Sequence, residues 1–510
     1  MILFVSDFII RGGFYIQFFY SNMDFTMKSQ TIIYTIAIIL TILSPISCTK
    51  EKVKISDSGS NNTFIKISEK NPRQFETTDG NPWIPIMINL VIPNGEEEEV
   101  FPKVENYFKN FSQNGGNAMR IWISSPFLEI EDTKVGEFNP VKIARIDSIL
   151  HFAEKYDIRI KFTLQHIRSI KPSGSGVQAW SNRPFMSVED GGPFKDINEY
   201  INTEKGRTTY LNRVKALSRL YKDNHHIFSW ELWNEMDAVD DQDWLPFTVQ
   251  ILDSVKMLFP NHLVAQTLGS MHSADADKRY VDLIALKNND YTTVHRYLDP
   301  GTDWGQYEQV HGPIDLLISS SVQSVYPSED IKPVVANEHG AVEPNHTGPH
   351  HLYLIDSLGI FIHDMIFTPF FCGTAGSGAM WHWDSYIEKQ NLWFHFQRFK
   401  NAITGIDPVN EEFVPFTFNK DSIRFYGLRG KNTTMIWCRD AMSNWKTELQ
   451  EGIPPKAREH ISFQISATNR KGYENAKYYD PWSDIWTDLE INNESVTIPS
   501  LYRSGVVVLY

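Results

Sequence analysis

Between Trp83 and about residue 400, apolar positions come in short unbroken runs, separated by segments long enough for a helix and two loops. The runs begin near Trp83 (WIPIMINLVI), Ala118 (AMRIWI), Ile158 (IRIKFTL), Ile227 (IFSWELW), Leu263 (LVAQTL), Tyr291 (YTTVH), Pro333 (PVVA) and Ala379 (AMWHW). Continuous rather than alternating hydrophobicity marks strands buried on both faces, and alternation with helices implies parallel crossovers. Helical spacing is readable over Phe101–Asn114, Ala144–Tyr156, Arg207–Tyr221, Trp244–Phe259 and Leu352–Phe367. Eight such units predict a (β/α)8 TIM barrel over residues 64–404. The third connection is the longest. Its excess, near Lys171–Tyr200, is rich in Gly, Pro and Ser and is expected to lie over the barrel mouth.

After about Thr404 the texture changes to short strands with polar turns, among them Phe413–Phe418, Ser422–Leu428, Thr433–Cys438 and Gly505–Leu509. This predicts an antiparallel β-sandwich over residues 405–510, expected as a structural companion of the barrel. At the other end, Lys28, the apolar stretch Ile32–Leu43 and Ser44-Pro45-Ile46-Ser47 read as a secretory signal within residues 1–47, preceded by an upstream extension. Cys48 then resembles the lipid-attachment cysteine of bacterial lipoproteins, and residues 48–63 read as a tether. The expected location is the cell envelope, with membrane contact only through a lipid anchor.

The chain has 510 residues, 42% hydrophobic and 22% charged, an ordinary globular composition. Lys plus Arg total 48 against 62 Asp plus Glu, a net charge of -14, which argues against nucleic acid as the partner. Three cysteines, Cys48, Cys372 and Cys438, are too few for a disulfide framework or a Cys-rich zinc site. Aromatic residues reach 13%, with 14 Trp and 21 Tyr, and such rings suit a cleft that stacks on sugars.

Chemistry in a barrel of this kind sits at the C-terminal ends of the strands. The fourth run ends in Trp233-Asn234-Glu235 and the seventh in Ala336-Asn337-Glu338-His339, so two glutamates face one mouth from opposite sides of the ring. Glycoside cleavage needs such a pair of carboxyls. No metal or cofactor is expected: His339, His346, His350 and His351 cluster after the seventh run without an H-E-x-x-H pattern.

Five motifs in order carry a resemblance: Arg120 in the second run, Glu235 in FSWELWNEMD, His295-Arg296-Tyr297, Glu338 in PVVANEHGA and GSGAMWHWDSY. Together they resemble the clan A glycoside hydrolases, especially the cellulase and mannanase family, family 5. The resemblance implies a retaining β-glycoside hydrolase acting by Glu/Glu double displacement on a β-linked polysaccharide or oligosaccharide, mannan- or glucan-type. Glu235 is then the acid/base, with a raised pKa, and Glu338 the nucleophile. Asn234 is expected to bond the sugar 2-hydroxyl, and Arg120 and Tyr297 to hold Glu338 ionised. Arg120 has a second reading, a structural ion pair with Glu231. His166 and His295 are expected against the innermost sugar. Of Trp381 and Trp383, placed on one face of a strand, one is expected as stacking floor and the other in the core. Trp180 and Trp304 are candidate outer platforms. The competing functions are an exo-acting glycosidase or transglycosylase on the same barrel, and a non-catalytic carbohydrate-capturing lipoprotein.

Overall fold

The computed structural model describes residues 63–239, 243–269, 274–302, 308–326, 331–468 and 472–510; the leader, the tether, Cys48 and Trp304 lie outside them. Seven strands lie in a parallel ring. β4 (Met87–Leu90), β5 (Ala118–Trp122), β6 (Arg159–Thr163), β7 (Ile227–Glu231) and β8 (Leu263–Ala265) pair in chain order, and β9 (Thr292–Leu298) pairs with β10 (Val334–Ala341). Every residue of these strands is buried except Arg159, as continuous hydrophobic runs require.

The eighth position is held by Ala379–Trp381, where Met380 makes parallel bridges to both Ile88 and His339. Asn89 N–H donates to the Met380 carbonyl at 3.0 Å and Trp381 N–H to that of His339 at 2.8 Å, closing the ring. The joint between β8 and β9 is made by Asp290 N–H donating to the Val264 carbonyl at 2.9 Å. Three short antiparallel strands, β1 (Ile65–Ile67), β2 (Phe75–Thr77) and β3 (Pro82–Trp83), precede the ring. Ile65, Phe75 and Trp83 pack against Met87, Ala118, Phe228, Leu263, Tyr291 and Ala379 at the strand starts, plugging the barrel's lower end. The first apolar run is therefore divided. Its Trp83 belongs to the plug, and the barrel strand starts only at Met87, beyond Pro85.

Helices at Glu97–Gln113, Pro140–Lys155, Glu204–Tyr221 and Trp244–Leu258 lie where helical spacing placed them. The fifth is displaced. It runs Ile360–Phe371, and a 3-10 turn occupies His351–Leu354. The buried Asp356 carboxylate fixes its start, accepting from Ile360 N–H at 2.9 Å and Phe361 N–H at 3.0 Å. Further helices run over Ala274–Ile284, Ile314–Val325 and Phe394–Ala402.

Nine strands follow: β11 (Val414–Lys420), β12 (Ile423–Arg429), β13 (Thr434–Asp440), β14 (Arg458–Gln464), β15 (Ala476–Asp480), β16 (Ile485–Leu489), β17 (Ile491–Asn492), β18 (Ser495–Leu501) and β19 (Ser504–Leu509). They form a six-stranded antiparallel sheet, β11-β12-β13-β19-β15-β16, and a three-stranded one, β14-β18-β17. Phe425, Ile436 and Val507 of the first sheet share an apolar core with Phe463, Val496 and Ile498 of the second. The opposite face of the larger sheet, with Tyr426, Trp437 and Val506, joins the barrel's own core. Arg439 binds Asp364 of the Ile360–Phe371 helix at 2.8 and 3.0 Å with both side chains buried, so the two halves are locked by charge as well as by packing.

Candidate active site

The floor of the barrel mouth is organised around Arg120. Its Nε and Nη2 donate to the two Glu231 oxygens at 2.8 and 2.5 Å, its Nη1 to Asn89 Oδ1 at 3.0 Å and to Glu338 Oε1, and its Nη2 also to Asn234 Oδ1 at 2.7 Å. All five guanidinium N–H groups are used, which is how a cation survives full burial. The two readings of Arg120 thus merge, because one side chain pairs with Glu231 and orients Glu338. Burial pushes the Glu231 carboxyl up, but Arg120 and Lys161, the latter 3.0 Å away, outweigh it and hold the group well below the usual range. Lys161 is pushed down to about 8 by its own burial, against the opposing charge of Glu231.

Glu338 reaches this floor through a β-bulge. The register of β10 against β9 shifts between Ala336 and Glu338, leaving Asn337 as the extra residue. Strict alternation would send one of two neighbours outward. With the bulge, Asn337 meets Lys161 while Glu338 meets Arg120, both inside the ring. Tyr297 donates its hydroxyl to Glu338 Oε2 at 3.0 Å, and burial followed by the Glu338 charge raises its pKa well above the usual phenol range, so it stays a donor.

Glu235 lies four residues beyond β7, in a left-handed conformation at φ 47°, ψ 57°. Such a conformation costs a non-glycine residue about 1–2 kcal/mol and persists where surrounding bonds impose it. Here Thr267 Oγ1 accepts the Glu235 N–H at 3.1 Å. His295 stands between the glutamates, with Nδ1 2.9 Å from Glu235 Oε1 and 3.4 Å from Glu338 Oε2. One carboxylate oxygen of each glutamate and a ring nitrogen of His295 all lie within 4.8 Å of one another.

The tautomer of His295 follows from its neighbours. Lys161 Nζ, a pure donor, bonds Asn337 Oδ1 at 2.7 Å, so the Asn337 amide nitrogen must be the atom 2.8 Å from His295 Nε2. Nε2 therefore accepts and Nδ1 carries the proton, donating to Glu235. Arg168 Nη2 donates to the other Glu235 oxygen at 2.8 Å. Burial alone would raise the Glu235 carboxyl, yet the His295 hydrogen bond and the Arg168 charge outweigh it and lower it. The expected raised value is thus reversed, because sequence could not show that both oxygens face donors.

The glutamates open on a cavity of about 870 Å³ lined by Asn234, Tyr297, Trp180, Trp381 and Trp383 among others. Both of the paired tryptophans reach it. Trp383 does not share a strand face with Trp381 but opens a π-helical turn, Trp383–Glu388, and the rings meet edge to face at 5.5 Å. Neither is therefore confined to the core. His166 and His295 do not reach the cavity wall: His166 is buried under Trp122, stacked at 4.5 Å and bonded to Ser124 at 2.6 Å, and His295 is sealed behind the glutamates. The histidines of this stretch divide: His339, inside β10, bonds the Arg296 carbonyl and His346 packs on Tyr297, whereas His350 and His351 stack at 4.7 Å with His351 bonding Glu343. Sequence reasoning missed Trp122, Arg168, Asp237 and Arg279, all on the cavity wall, while His346 of the histidine cluster does reach it. Only Trp122, a strand-end aromatic, carried a signal that could have found it.

No family model matches the chain. It is 26% identical over 236 residues to the probable mannan endo-1,4-beta-mannosidase F of Aspergillus oryzae, covering 41% of this chain and 48% of that protein. It is 21% identical over 262 residues to the mannan endo-1,4-beta-mannosidase F of Aspergillus clavatus, covering 45% and 53%. The chain is similar in sequence to curated mannosidases and in fold to solved glycoside hydrolases, one of them of family 5. It spans about half the length of the curated relatives it matches. A solved glycoside hydrolase superposes with a TM-score of 0.57 at 13% identity, covering 88% of this chain and 97% of that one. A family 5 glycoside hydrolase from Bacteroides vulgatus gives 0.56 at 12%, covering 88% and 94%. At such identities the solved family members share the fold, here a TIM barrel with the appended strands covered.

Proposed function

We propose that this chain is a retaining β-glycoside hydrolase acting on a β-linked polysaccharide of the mannan type. The carrying observation is the carboxylate pair, whose nearest oxygens lie within 4.8 Å. Retention uses carboxyls about 5–5.5 Å apart, whereas inversion leaves roughly 6.5–9.5 Å for a water. Glu338 attacks the anomeric carbon while Glu235 gives a proton to the departing oxygen. Glu235 then deprotonates the water that releases the glycosyl-enzyme.

Asn234 supports the same reading. Its Oδ1 is committed to Arg120, which turns its amide N–H groups toward the cavity, where a sugar 2-hydroxyl would accept them. The perpendicular Trp381 and Trp383 form a corner for the sugar's apolar face. The mannan-type assignment draws on the mannosidase names of the curated relatives. We read the nine C-terminal strands as a β-sandwich bracing the barrel. Cys48, as lipid attachment site, would place the enzyme on the envelope; Cys48→Ser releasing the protein into the medium would support that, and unchanged membrane recovery would refute it.

The deciding experiment is to incubate the soluble form with β-mannans, β-glucans, xylans and galactans, identify the products and record the anomeric configuration of the first one by NMR. Mixed manno-oligosaccharides born as the β-anomer are expected. An α-anomer first product would refute retention, and cleavage of xylan or galactan alone would refute the mannan assignment.

A further inference from the structure

We propose that Arg168 is a substrate-displaced latch on the proton donor: its guanidinium holds Glu235 as a carboxylate, and a sugar unit stacking on Trp180 dislodges it. The inference rests on the reading of Glu235 as the acid. Both oxygens of that carboxylate face donors, His295 Nδ1 on one side and Arg168 Nη2 on the other. Each donor favours the charged form, so a proton settles on the carboxylate far more readily once one of them leaves.

The two donors are not equally free to leave. His295 is fully buried and held from behind by Asn337. Arg168 has 29% of its side chain exposed, lines the cavity, and has no partner on its Nε. Its Cζ lies over the Trp180 ring, 5.3 Å from the centroid. That ring sits on a fixed mount: Arg168 and Ser169 N–H groups donate to the Ser181 carbonyl at 2.8 and 2.9 Å, and Ser169 bridges Asn182. The backbone holds Trp180 in place, 43% exposed, so a pyranose stacking there competes with the guanidinium rather than moving the ring.

The remaining groups around Glu235 do not take over the latch. Glu338 on β10 and Asp237 in the following turn are acidic and favour protonation, Tyr280 and Tyr297 make no hydrogen bond to it, and His346 acts only through its charge, which favours the carboxylate. Once Arg168 swings away, the carboxylate takes a proton from solvent and holds it for the departing glycosidic oxygen. Sugar occupancy of the outer subsite thereby arms the acid, and the enzyme distinguishes long chains from short ones by turnover.

The test compares wild type with Arg168→Gln and Trp180→Ala. Infrared titration of the Glu235 carboxyl in the empty protein, isolated by subtracting the matching Glu235→Gln spectrum, should show the midpoint rising by about one pH unit or more in Arg168→Gln, a tenfold change in protonation. An unmoved midpoint overturns the latch. This readout needs no turnover, so it decides the latch even if no glycan is cleaved and the activity reading fails. In kinetics, Arg168→Gln should raise kcat on aryl β-mannobioside and move the basic limb of its pH profile upward, while β-1,4-mannohexaose changes little. Trp180→Ala should lower kcat on the hexaose toward the short-substrate value. Equal loss on both substrates, with the basic limb unmoved, would mark Arg168 as merely structural and overturn the proposal.

Discussion

The floor and the wall of the cleft are built on opposite terms. The floor, Arg120 with Glu231, Asn89, Asn234 and Glu338, comes mostly from strands, is buried, and leaves no guanidinium N–H unused. The wall, Arg168, Trp180, Arg279 and His346, lies outside the barrel strands, is partly exposed, and leaves Nε of both arginines without a hydrogen bond, Arg279 Nε meeting only the Asp237 carboxylate at 3.4 Å. A satisfied network in low dielectric is stiff, because any displaced member leaves a buried charge unpaired. An unsatisfied, half-wet one can rearrange when a ligand arrives. The reacting carboxylates are divided between the two: Glu338 belongs to the floor and Glu235 is held by the wall.

The largest effect that would break this contrast concerns Glu338. Glu338→Ala should lower kcat by more than about a thousandfold while the fold survives, as judged by circular dichroism, because the nucleophile is lost and no other carboxylate replaces it. Retained turnover would mean that the floor does not carry the chemistry. Next comes Arg120→Met. Removing the cation leaves Glu231 with Lys161 alone as counter-ion and Glu338 without its arginine, and such broken buried pairs cost about 3–5 kcal/mol, read as a lower denaturant midpoint. Arg120→Lys should recover only part of it, since an ammonium has three donors for five acceptor contacts. Arg168→Gln, on the wall, should leave the midpoint unchanged.

A smaller effect sharpens the boundary between the regions. Lys161→Met frees the Asn337 amide to turn over, and His295 Nδ1–H then no longer points at Glu235 by necessity. The expected result is a loss of about tenfold in kcat with KM little changed, as for weakened acid–base assistance. A change confined to KM would show that Lys161 serves binding alone.

How much of this was legible depends on which physical signal each part leaves in sequence. The strands announce themselves because burial on both faces favours apolar residues and admits only paired charges, and Glu235 and Glu338 stand out beside the C-terminal ends of such runs. The Ile314–Val325 helix does not, since its consecutive serines suggest a loop. In place, Ser319, Ser320 and Ser321 hydroxyls donate to the Leu316, Leu317 and Ile318 carbonyls at 3.2, 2.8 and 2.8 Å and are absorbed by the helix. The bulge at Asn337 has no sequence mark, and without it the inward pointing of both Asn337 and Glu338 could not be derived. Arg168 was hidden for a simpler reason. Its partners Glu235 and Trp180 are 67 and 12 residues away, brought close by loop geometry that periodicity does not encode.

The smallest prediction asks whether satisfaction, and not burial, is what separates stiff from labile. Glu131 is as buried as Glu231, but its Oε2 has no partner, and Oε1 accepts only the Gly136 N–H at 2.5 Å. Burial pushes its carboxyl up to about 7, opposed by the Gly136 hydrogen bond, whereas Arg120 and Lys161 bring Glu231 down. The folded protein therefore keeps a proton on Glu131 that the unfolded chain releases above about 4.3. Between that pH and about 7 folding stability should fall as pH rises, by up to about 1.4 kcal/mol per pH unit from this group. Glu131→Gln, which cannot ionise and keeps an acceptor for Gly136, should flatten that slope and stabilise the protein by about 1–2 kcal/mol at pH 8, read as a higher denaturant midpoint. If the slope persists, burial without a partner does not mark a labile carboxylate, and the distinction between floor and wall must rest on strand versus loop origin alone.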